Sequence, residues 1–342
     1  MMENGKYHTS DYTMQLRNES GKLRELYKLP FFPDRVAQWA ILAVTSPDIL
    51  KSLTADTYSA LPGRGISGAF KAVRDDMDFH PEEVTECCKI DSKQFYASID
   101  HDLLKTNYRR KYKDPKLLAM TDEIADSIST CPATPENIQW YRNHGKVIRL
   151  IYHDGRYYID GVGIPIGNYI SQWDGNFFLS GLDHYCKEIL RIPHYYRYMD
   201  DIVFFAPTKA QLVYWLDKVQ EYLSTELHLR LKGNYQIFPT FVRGVDFVGY
   251  RFFKDYTLLR KSTCQTMKRR TLRIYDKCVA GGKMTYHDYC CVNSYQGLLK
   301  CANCRRLADK YIAPLLPFVD AYYEDHIKPK KKRKKGAERK MA

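Results

Sequence analysis

Two adjacent aspartates sit between two apolar runs: Tyr195-Tyr196-Arg197-Tyr198 comes before Met199-Asp200-Asp201, and Ile202-Val203-Phe204-Phe205 follows. Aromatic and β-branched residues on both sides of a short polar break predict strand, turn, strand over 195–205, with the turn at Met199-Asp200. Adjacent carboxylates repel one another, and burying them is costly unless a cation compensates. Asp is common in turns, so a polar hairpin loop is one reading. A cation site is the other. Asp91 favours the second, because it ends another short apolar run, Cys87 to Ile90, that reads as a buried strand. Mg²⁺ is the natural cation for a carboxylate cage that leaves positions open for phosphate and water. Two such ions roughly 3.5–4 Å apart suit phosphoryl transfer, which depends on positioning and charge neutralisation.

The rest of the chain alternates helices and strands. A helix is expected from about Pro33 to Val44, with Val36, Trp39, Ala40 and Ala43 on one face. Pro62-Gly63-Arg64-Gly65 is a turn-rich loop carrying a cation. Asp114-Pro115 is a helix start, a cap followed by proline at the first helical position. Residues 147–159 read as a hairpin turning at Asp154-Gly155. A glycine-bounded loop, Gly163 to Gly167, leads into one long helix to about Leu190. Thr208 caps a helix whose inward face is Leu212, Trp215, Leu216, Val219 and Leu223. Short strands are expected near Leu229–Lys232 and Val245–Phe252. From about Lys261 the texture becomes basic and helical. The fold class is α+β, a sheet with helices on it and a separate helical lobe.

Formal net charge is +13; the tail Lys328–Ala342, with nine Lys/Arg and one Glu, supplies +8 and leaves +5 for the body. A basic tail on a mildly basic body fits a polyanionic partner, and equally a solvated tail. No apolar run approaches the roughly 20 residues of a membrane helix, and the first residues have no signal-peptide core, so a cytoplasmic protein without membrane partner is expected. Ten cysteines in such a chain read as reduced thiols. Cys301 and Cys304 form a single C-x-x-C, better explained by packing than by zinc.

Beyond these readings, YRYMDDIVFF resembles the Tyr-x-Asp-Asp box of reverse transcriptases. KIDSKQFYASIDHDLL, Lys89 to Leu104, is similar to the family's first aspartate box. GKLRELYKLPFFPDRVAQWA and YSALPGRGISGA resemble its two fingers motifs; LHLRLK, GVDFVGYRF and NSYQGLLKCAN resemble its later motifs. They follow the family's order from about Gly21 to Asn303 and cover most of the chain. The resemblance implies a right-hand polymerase, with fingers and a ferredoxin-like or RRM-like palm sheet in 1–260, a helical thumb in 261–327, and a basic disordered tail in 328–342. It implies an RNA-directed DNA polymerase whose catalytic metal ligands are Asp91, Asp200 and Asp201, holding two Mg²⁺. It places Lys22, Arg24, Tyr96, Ile166, Gly167 and Lys232 near the nucleotide, with Tyr96 beneath the incoming sugar. It places Arg64, Ser171, Gln172, Tyr198, Met199, Gly249, Tyr295 and Gly297 near template or primer. The implied partners are an RNA template, a DNA or RNA primer and deoxynucleoside triphosphates.

GIPIGNYISQ, Gly163 to Gln172, narrows the resemblance. Most of the family has glutamine where this chain has Ile166, and Ser-Pro where it has Ser171-Gln172. That pattern is similar to reverse transcriptases of bacterial and phage diversity-generating retroelements. Those enzymes misincorporate opposite template adenine and work with a small basic accessory variability protein that forms a pentamer. Isoleucine can neither donate nor accept a hydrogen bond that checks pair geometry. A reverse transcriptase of another bacterial class, group II-like or abortive-infection, is the alternative.

Overall fold

The computed structural model describes residues 7–19 and 21–328. Two compact units divide the chain, 1–248 and 249–342. The basic run expected at the C-terminus lies, from residue 329 onward, outside the described residues.

The first unit opens with an antiparallel hairpin, β1 (Thr13–Glu19) and β2 (Lys22–Lys28). Helix α1 (Val36–Lys51) buries Ala37, Ile41, Leu42 and Ile49. The face carrying Val36 and Trp39 is the exposed one, Trp39 at 61%. This helix is apolar on nearly every side, so periodicity alone does not choose its inward face. Helix α2 (Ile66–Phe79) precedes β3 (Glu86–Asp91). Helices α3 (His101–Lys111), α4 (Pro115–Asp126) and α5 (Pro135–Asn143) follow. Asp114 caps α4 as expected, its side chain accepting from the Leu117 N–H at 2.8 Å. Strands β4 (Leu150–His153) and β5 (Arg156–Ile159) turn at Asp154 and Gly155, whose φ values of 49° and 80° are those of a type I′ hairpin.

The long helix expected up to Leu190 is present, with a one-residue turn at Leu179 that keeps right-handed helical dihedrals and a change to π geometry near its end. Helix α6 (Tyr169–Phe178) gives way to α7 (Ser180–His184) and a π turn at Tyr185–Ile189. The Ser180 hydroxyl donates to the Phe177 carbonyl at 2.7 Å, a bond that competes with the helical ladder. Strands β6 (Tyr195–Tyr198) and β7 (Asp201–Ala206) then flank the aspartate turn. Thr208 caps α8 (Lys209–Thr225), and all five expected inward residues are buried. Strand β8 (Gln236–Pro239), the short α9 (Thr240–Arg243) and β9 (Val245–Phe247) complete the unit. The strand expected at Leu229–Lys232 is reduced to one bridge, Ser92 with Leu231.

Strands β6, β7, β3 and β8 form one antiparallel sheet in that spatial order. Along the chain its elements run β-α-β-β-α-β, the ferredoxin-like arrangement. Ile90, Ile202 and Phe204 join Leu212, Trp215 and Val219 of α8 in the main core. Each such side chain contributes about 1.5–3 kcal/mol by leaving water.

In the second unit, β10 (Tyr250–Phe252) pairs antiparallel with β11 (Thr257–Leu259). Helices α10 (Lys261–Val279), α11 (Tyr286–Lys300), α12 (Arg305–Tyr311) and α13 (Leu316–Tyr322) follow. Helix α10 buries Met267, Thr271, Ile274 and Cys278, a single stripe at helical spacing on an otherwise basic helix. Thr285 and Asp288 form a reciprocal capping box on α11. All ten cysteines are free thiols, and Cys304 is buried. Among the described residues no helix is long and apolar enough to cross a membrane.

Candidate active site

Strand register brings the carboxylates together. Asp91, the last residue of β3, lies directly opposite Asp201, the first residue of β7, and Tyr198 of β6 lies on the other side of Asp201. Opposed residues in such a pair have Cβ atoms about 4.5–5.5 Å apart, and like charges there destabilise the sheet. The hairpin leaves only Met199 and Asp200 between β6 and β7, as expected, with Met199 in the left-handed region at φ 58°.

Two lysines compensate the charge. Lys89 lies two residues before Asp91 on the same face of β3. Its Nζ is 3.0 Å from Asp201 Oδ1 and also donates to the Asp246 carbonyl at 2.6 Å. Lys232 donates through Nζ to Asp91 Oδ2, and its backbone N–H donates to the Asp91 carbonyl at 2.9 Å. The other oxygen, Asp91 Oδ1, is buried and accepts no hydrogen bond. Burial, and then the charge of Asp91 beside it, push the Asp200 carboxyl up to about 7.

These groups suit a hard cation: the donors are carboxylate oxygens, and one of them is buried without a partner. Among the described residues no group of three or more His, Cys, Asp or Glu side chains forms a closed metal-ligand set. Ammonium groups stand at two of the carboxylates instead.

Tyr96 is half-buried close by. Burial raises its hydroxyl pKa, the negative charge of Asp200 adds to this, and the cation of Arg24 opposes it. Arg24 lies on β2 directly opposite Arg17, and Lys22 opens that strand. A Cβ on Gly175 of α6 would lie 3.1 Å from the Phe95 ring, 3.4 Å from the Met199 sulfur and 3.5 Å from the Tyr96 ring. The bare backbone of α6 is therefore the floor against which Tyr96 and Met199 pack.

The Ile166–Gly167 loop is joined to the same hairpin. The Tyr27 N–H donates to the Ile166 carbonyl at 2.8 Å. Gly167 has φ +119°, and a Cβ there would meet the Tyr27 carbonyl oxygen at 2.9 Å, so only glycine fits. Ser171 is buried in α6 and Gln172 is exposed. Arg64 donates to the carbonyls of Thr54 and Thr57, at 2.6 and 3.0 Å, which ties its guanidinium to the loop it follows. Gly249, Tyr295 and Gly297 belong to the second unit, where Tyr295 is buried on α11, Gly297 follows it on the same helix, and Gly249 has φ +90°.

Sequence reasoning gave no role to Lys89, Gly175, Asp183 or Arg197. Arg197 is fully buried on β6 and makes a bidentate pair with Asp183, through Nε to Oδ1 at 2.7 Å and NH2 to Oδ2 at 2.6 Å. Breaking such a buried pair by removing one partner costs about 3–5 kcal/mol. The available signal was a single cation inside the apolar strand Tyr-Tyr-Arg-Tyr, where a charge needs a buried partner.

No protein-family model matches the chain, and no curated protein matches it. Among solved structures it is similar to apo telomerase from Candida tropicalis, with a TM-score of 0.55 and 12% identity, over 94% of this chain and 59% of that chain. Telomerase from Candida tropicalis in complex with the TWJ fragment of telomeric RNA gives a TM-score of 0.49 at 12% identity, covering 93% and 54%. Telomerase from Candida albicans in complex with the same kind of fragment gives 0.48 at 10% identity, covering 93% and 58%. The chain thus spans about three-fifths of the length of the apo telomerase chain. The likeness is one of fold alone: this chain shares the fold of part of the apo telomerase chain.

Proposed function

We propose that this chain is an RNA-directed DNA polymerase, extending a DNA or RNA primer on an RNA template from deoxynucleoside triphosphates. The carrying observation is the β3–β7 register that sets Asp91 opposite Asp201 beside the Asp200 turn. The fold shared with telomerase, a reverse transcriptase, supports the reading. In it, the sheet and the elements before Arg260 serve as fingers and palm, and residues 261–327 as thumb.

Asp91, Asp200 and Asp201 would hold two Mg²⁺, which when bound acidify a primer 3′-hydroxyl and neutralise a leaving pyrophosphate. The chain's own residues prepare that site. Asp200 and Asp201 are fixed by a two-residue turn, and Asp91 by the adjoining strand end. Lys89 and Lys232 hold the repelling carboxylates in place, and Lys232 is then positioned to meet a triphosphate. Tyr96, packed on the bare backbone of Gly175, closes the space beneath an incoming sugar.

The finer reading is an error-prone enzyme of a diversity-generating retroelement, working with a small basic accessory protein. It rests on the residues Ile166, Ser171 and Gln172. Ile166 is half-buried with its carbonyl committed to Tyr27, so its side chain brings only apolar surface to the loop.

Metal-dependent primer extension on RNA is the test. Asp200→Ala should abolish it while the protein remains folded, and extension at the unmodified rate would refute the assignment. Ile166→Gln should lower errors opposite template adenine by roughly ten-fold, the scale of one discriminating hydrogen bond. An unchanged error spectrum would remove Ile166 from the fidelity argument and leave the polymerase reading intact.

A further inference from the structure

Beneath the aspartate turn lies a buried cation that the chemistry above does not use. We infer that Arg197 is a positioning residue, whose guanidinium holds the Met199–Asp200 peptide and so aims the Asp200 carboxylate at Asp91. The inference rests on the proposed catalytic role of Asp200, and its structural half can be tested without that role.

Arg197 is 0% exposed. Its NH1 donates to the Met199 carbonyl at 3.1 Å and to Asn176 Oδ1 at 3.1 Å. Its Nε and NH2 are held by Asp183 through the bidentate pair, and NH2 also donates to the Asn176 carbonyl at 3.3 Å. The guanidinium is planar with five donors in a fixed fork, so two donors anchored on Asp183 fix where the remaining ones point. Asp183 is itself fixed, accepting from the Tyr195 hydroxyl at 2.8 Å and the Thr57 hydroxyl at 2.9 Å. The main chain of Arg197 is also clamped, its N–H donating to the Asp56 carbonyl at 2.9 Å and its carbonyl accepting from the Tyr58 N–H at 3.0 Å. Neither end of the brace is therefore free to follow the turn. The turn has to follow the brace.

The turn requires this. Met199 is a non-glycine residue in the left-handed region, a conformation that persists only where surroundings determine it. In a two-residue loop the plane of the Met199–Asp200 peptide sets the direction in which Asp200 leaves the backbone. A donor on the Met199 carbonyl fixes that plane. Lysine could neutralise Asp183 but has a point charge, and could not hold Asp183 and the Met199 carbonyl in one rigid geometry.

The test removes the brace without leaving a buried charge. In the full chain, the double variant Arg197→Met/Asp183→Asn deletes both ions together and keeps one side-chain oxygen to accept from Tyr195, while its amide NH2 faces the Thr57 hydroxyl, which can turn to accept. Replacing both partners of a buried pair is far milder than removing one. Hydrogen–deuterium exchange is followed in peptides across 198–202, with α8 as the internal control. The expected result is exchange at least ten-fold faster at the turn, with α8 unchanged and Mn²⁺ affinity, read by electron paramagnetic resonance of the free ion, at least ten-fold weaker. A folded variant with the turn exchanging at the unmodified rate overturns the proposal, and so does unchanged Mn²⁺ affinity. Should α8 also exchange faster, Arg197→Lys, which keeps the charge on Asp183, decides by the same turn-to-α8 comparison. Absence of RNA-templated synthesis by the unmodified protein would defeat the proposed function, and the exchange measurement would still decide the brace.

Discussion

Replacing Lys89 by methionine keeps the length of the side chain and removes its charge. Lys89 Nζ sits 3.0 Å from Asp201 Oδ1, and the two side chains are 22% and 30% exposed. A hydrogen bond to a charged group at such a site contributes about 1.5–3 kcal/mol, and its loss also leaves Asp201 facing Asp91 with less compensation. In buffer with chelator, Lys89→Met should therefore lower the stability of the first unit by about 2–3 kcal/mol. Added Mg²⁺ should reverse this. A ligand bound only by the folded state stabilises it by about 2.7 kcal/mol at a hundred times its dissociation constant. In the unmodified protein the ion must compete with the Lys89 ammonium for the oxygens of Asp201. In the variant it does not, so the Mg²⁺-induced gain should be larger in the variant. Urea unfolding followed by tryptophan fluorescence is the appropriate assay, since Trp39, Trp140, Trp173 and Trp215 all lie in the first unit. If Mg²⁺ stabilises the variant no more than the unmodified protein, lysine and cation do not share a site, and the carboxylate-cage argument fails.

Gly163→Ala should destabilise the first unit by about 2–5 kcal/mol, combining a left-handed backbone with overpacking. Gly163 has φ +90°, and its Cβ would lie 2.6 Å from Thr130 Oγ1 and 2.8 Å from the Cys131 backbone nitrogen; a loss under about 1 kcal/mol in the same urea assay would contradict this geometry. The Asp200 carboxyl, raised to about 7 by burial and by Asp91, should make Mg²⁺ affinity fall as pH drops below that value, because proton and metal compete for the same oxygens. In metal-free buffer the sign of the stability effect is opposite. The folded protein keeps a proton that the unfolded chain has released, so this group's contribution to stability declines as pH rises from the ordinary carboxylate range towards 7. Titrations of Mn²⁺ affinity and of urea midpoint against pH check both signs, and a flat Mn²⁺ profile between pH 6 and about 8 would rule out Asp200 as the titrating ligand.

Much of this was legible in the sequence because local chemistry and tertiary context agree. The hairpin at 195–205, the Asp114 and Thr208 caps and the inward face of α8 each rest on a short-range rule, and each appears where that rule puts it. The misplacements have specific causes. Helix α1 is apolar on two faces, so its sequence did not say that Trp39 would face outward. At the α6–α7 junction the Ser180 hydroxyl donates to the Phe177 carbonyl, a side-chain bond that hydropathy does not record. Residues 229–232 read as a strand but meet β3 only beyond its end, at Ser92, so what remains is one bridge and the placement of Lys232. Partners remote in sequence were not legible at all. Nothing near Arg197 announces Asp183, fourteen residues away on another element, or the Met199 carbonyl it holds.

The site is specified by side chains that do no chemistry. Successive residues of a strand point to opposite faces, so a one-residue slip between β3 and β7 would move Asp91 away from Asp201 altogether. Two features forbid the slip. Ile90 pairs with Ile202 and Cys88 with Phe204 on the face that packs into the core, and Trp215 of α8 meets the Phe204 ring edge-on at 6.5 Å. A slip would expose that face at a cost of about 1.5–3 kcal/mol for each large side chain. At the other end, the two-residue loop fixes Tyr198 against Asp201, and Arg197 fixes the loop. The apolar pattern determines which residues face one another, and the buried ion pair determines how the loop between them is turned. Repulsion among three carboxylates is the remaining obstacle, and Lys89 and Lys232 offset it at Asp201 and Asp91. The same arrangement that makes the sheet stable without metal therefore leaves Asp91 Oδ1 buried and without a partner, as the place where a cation has most to gain.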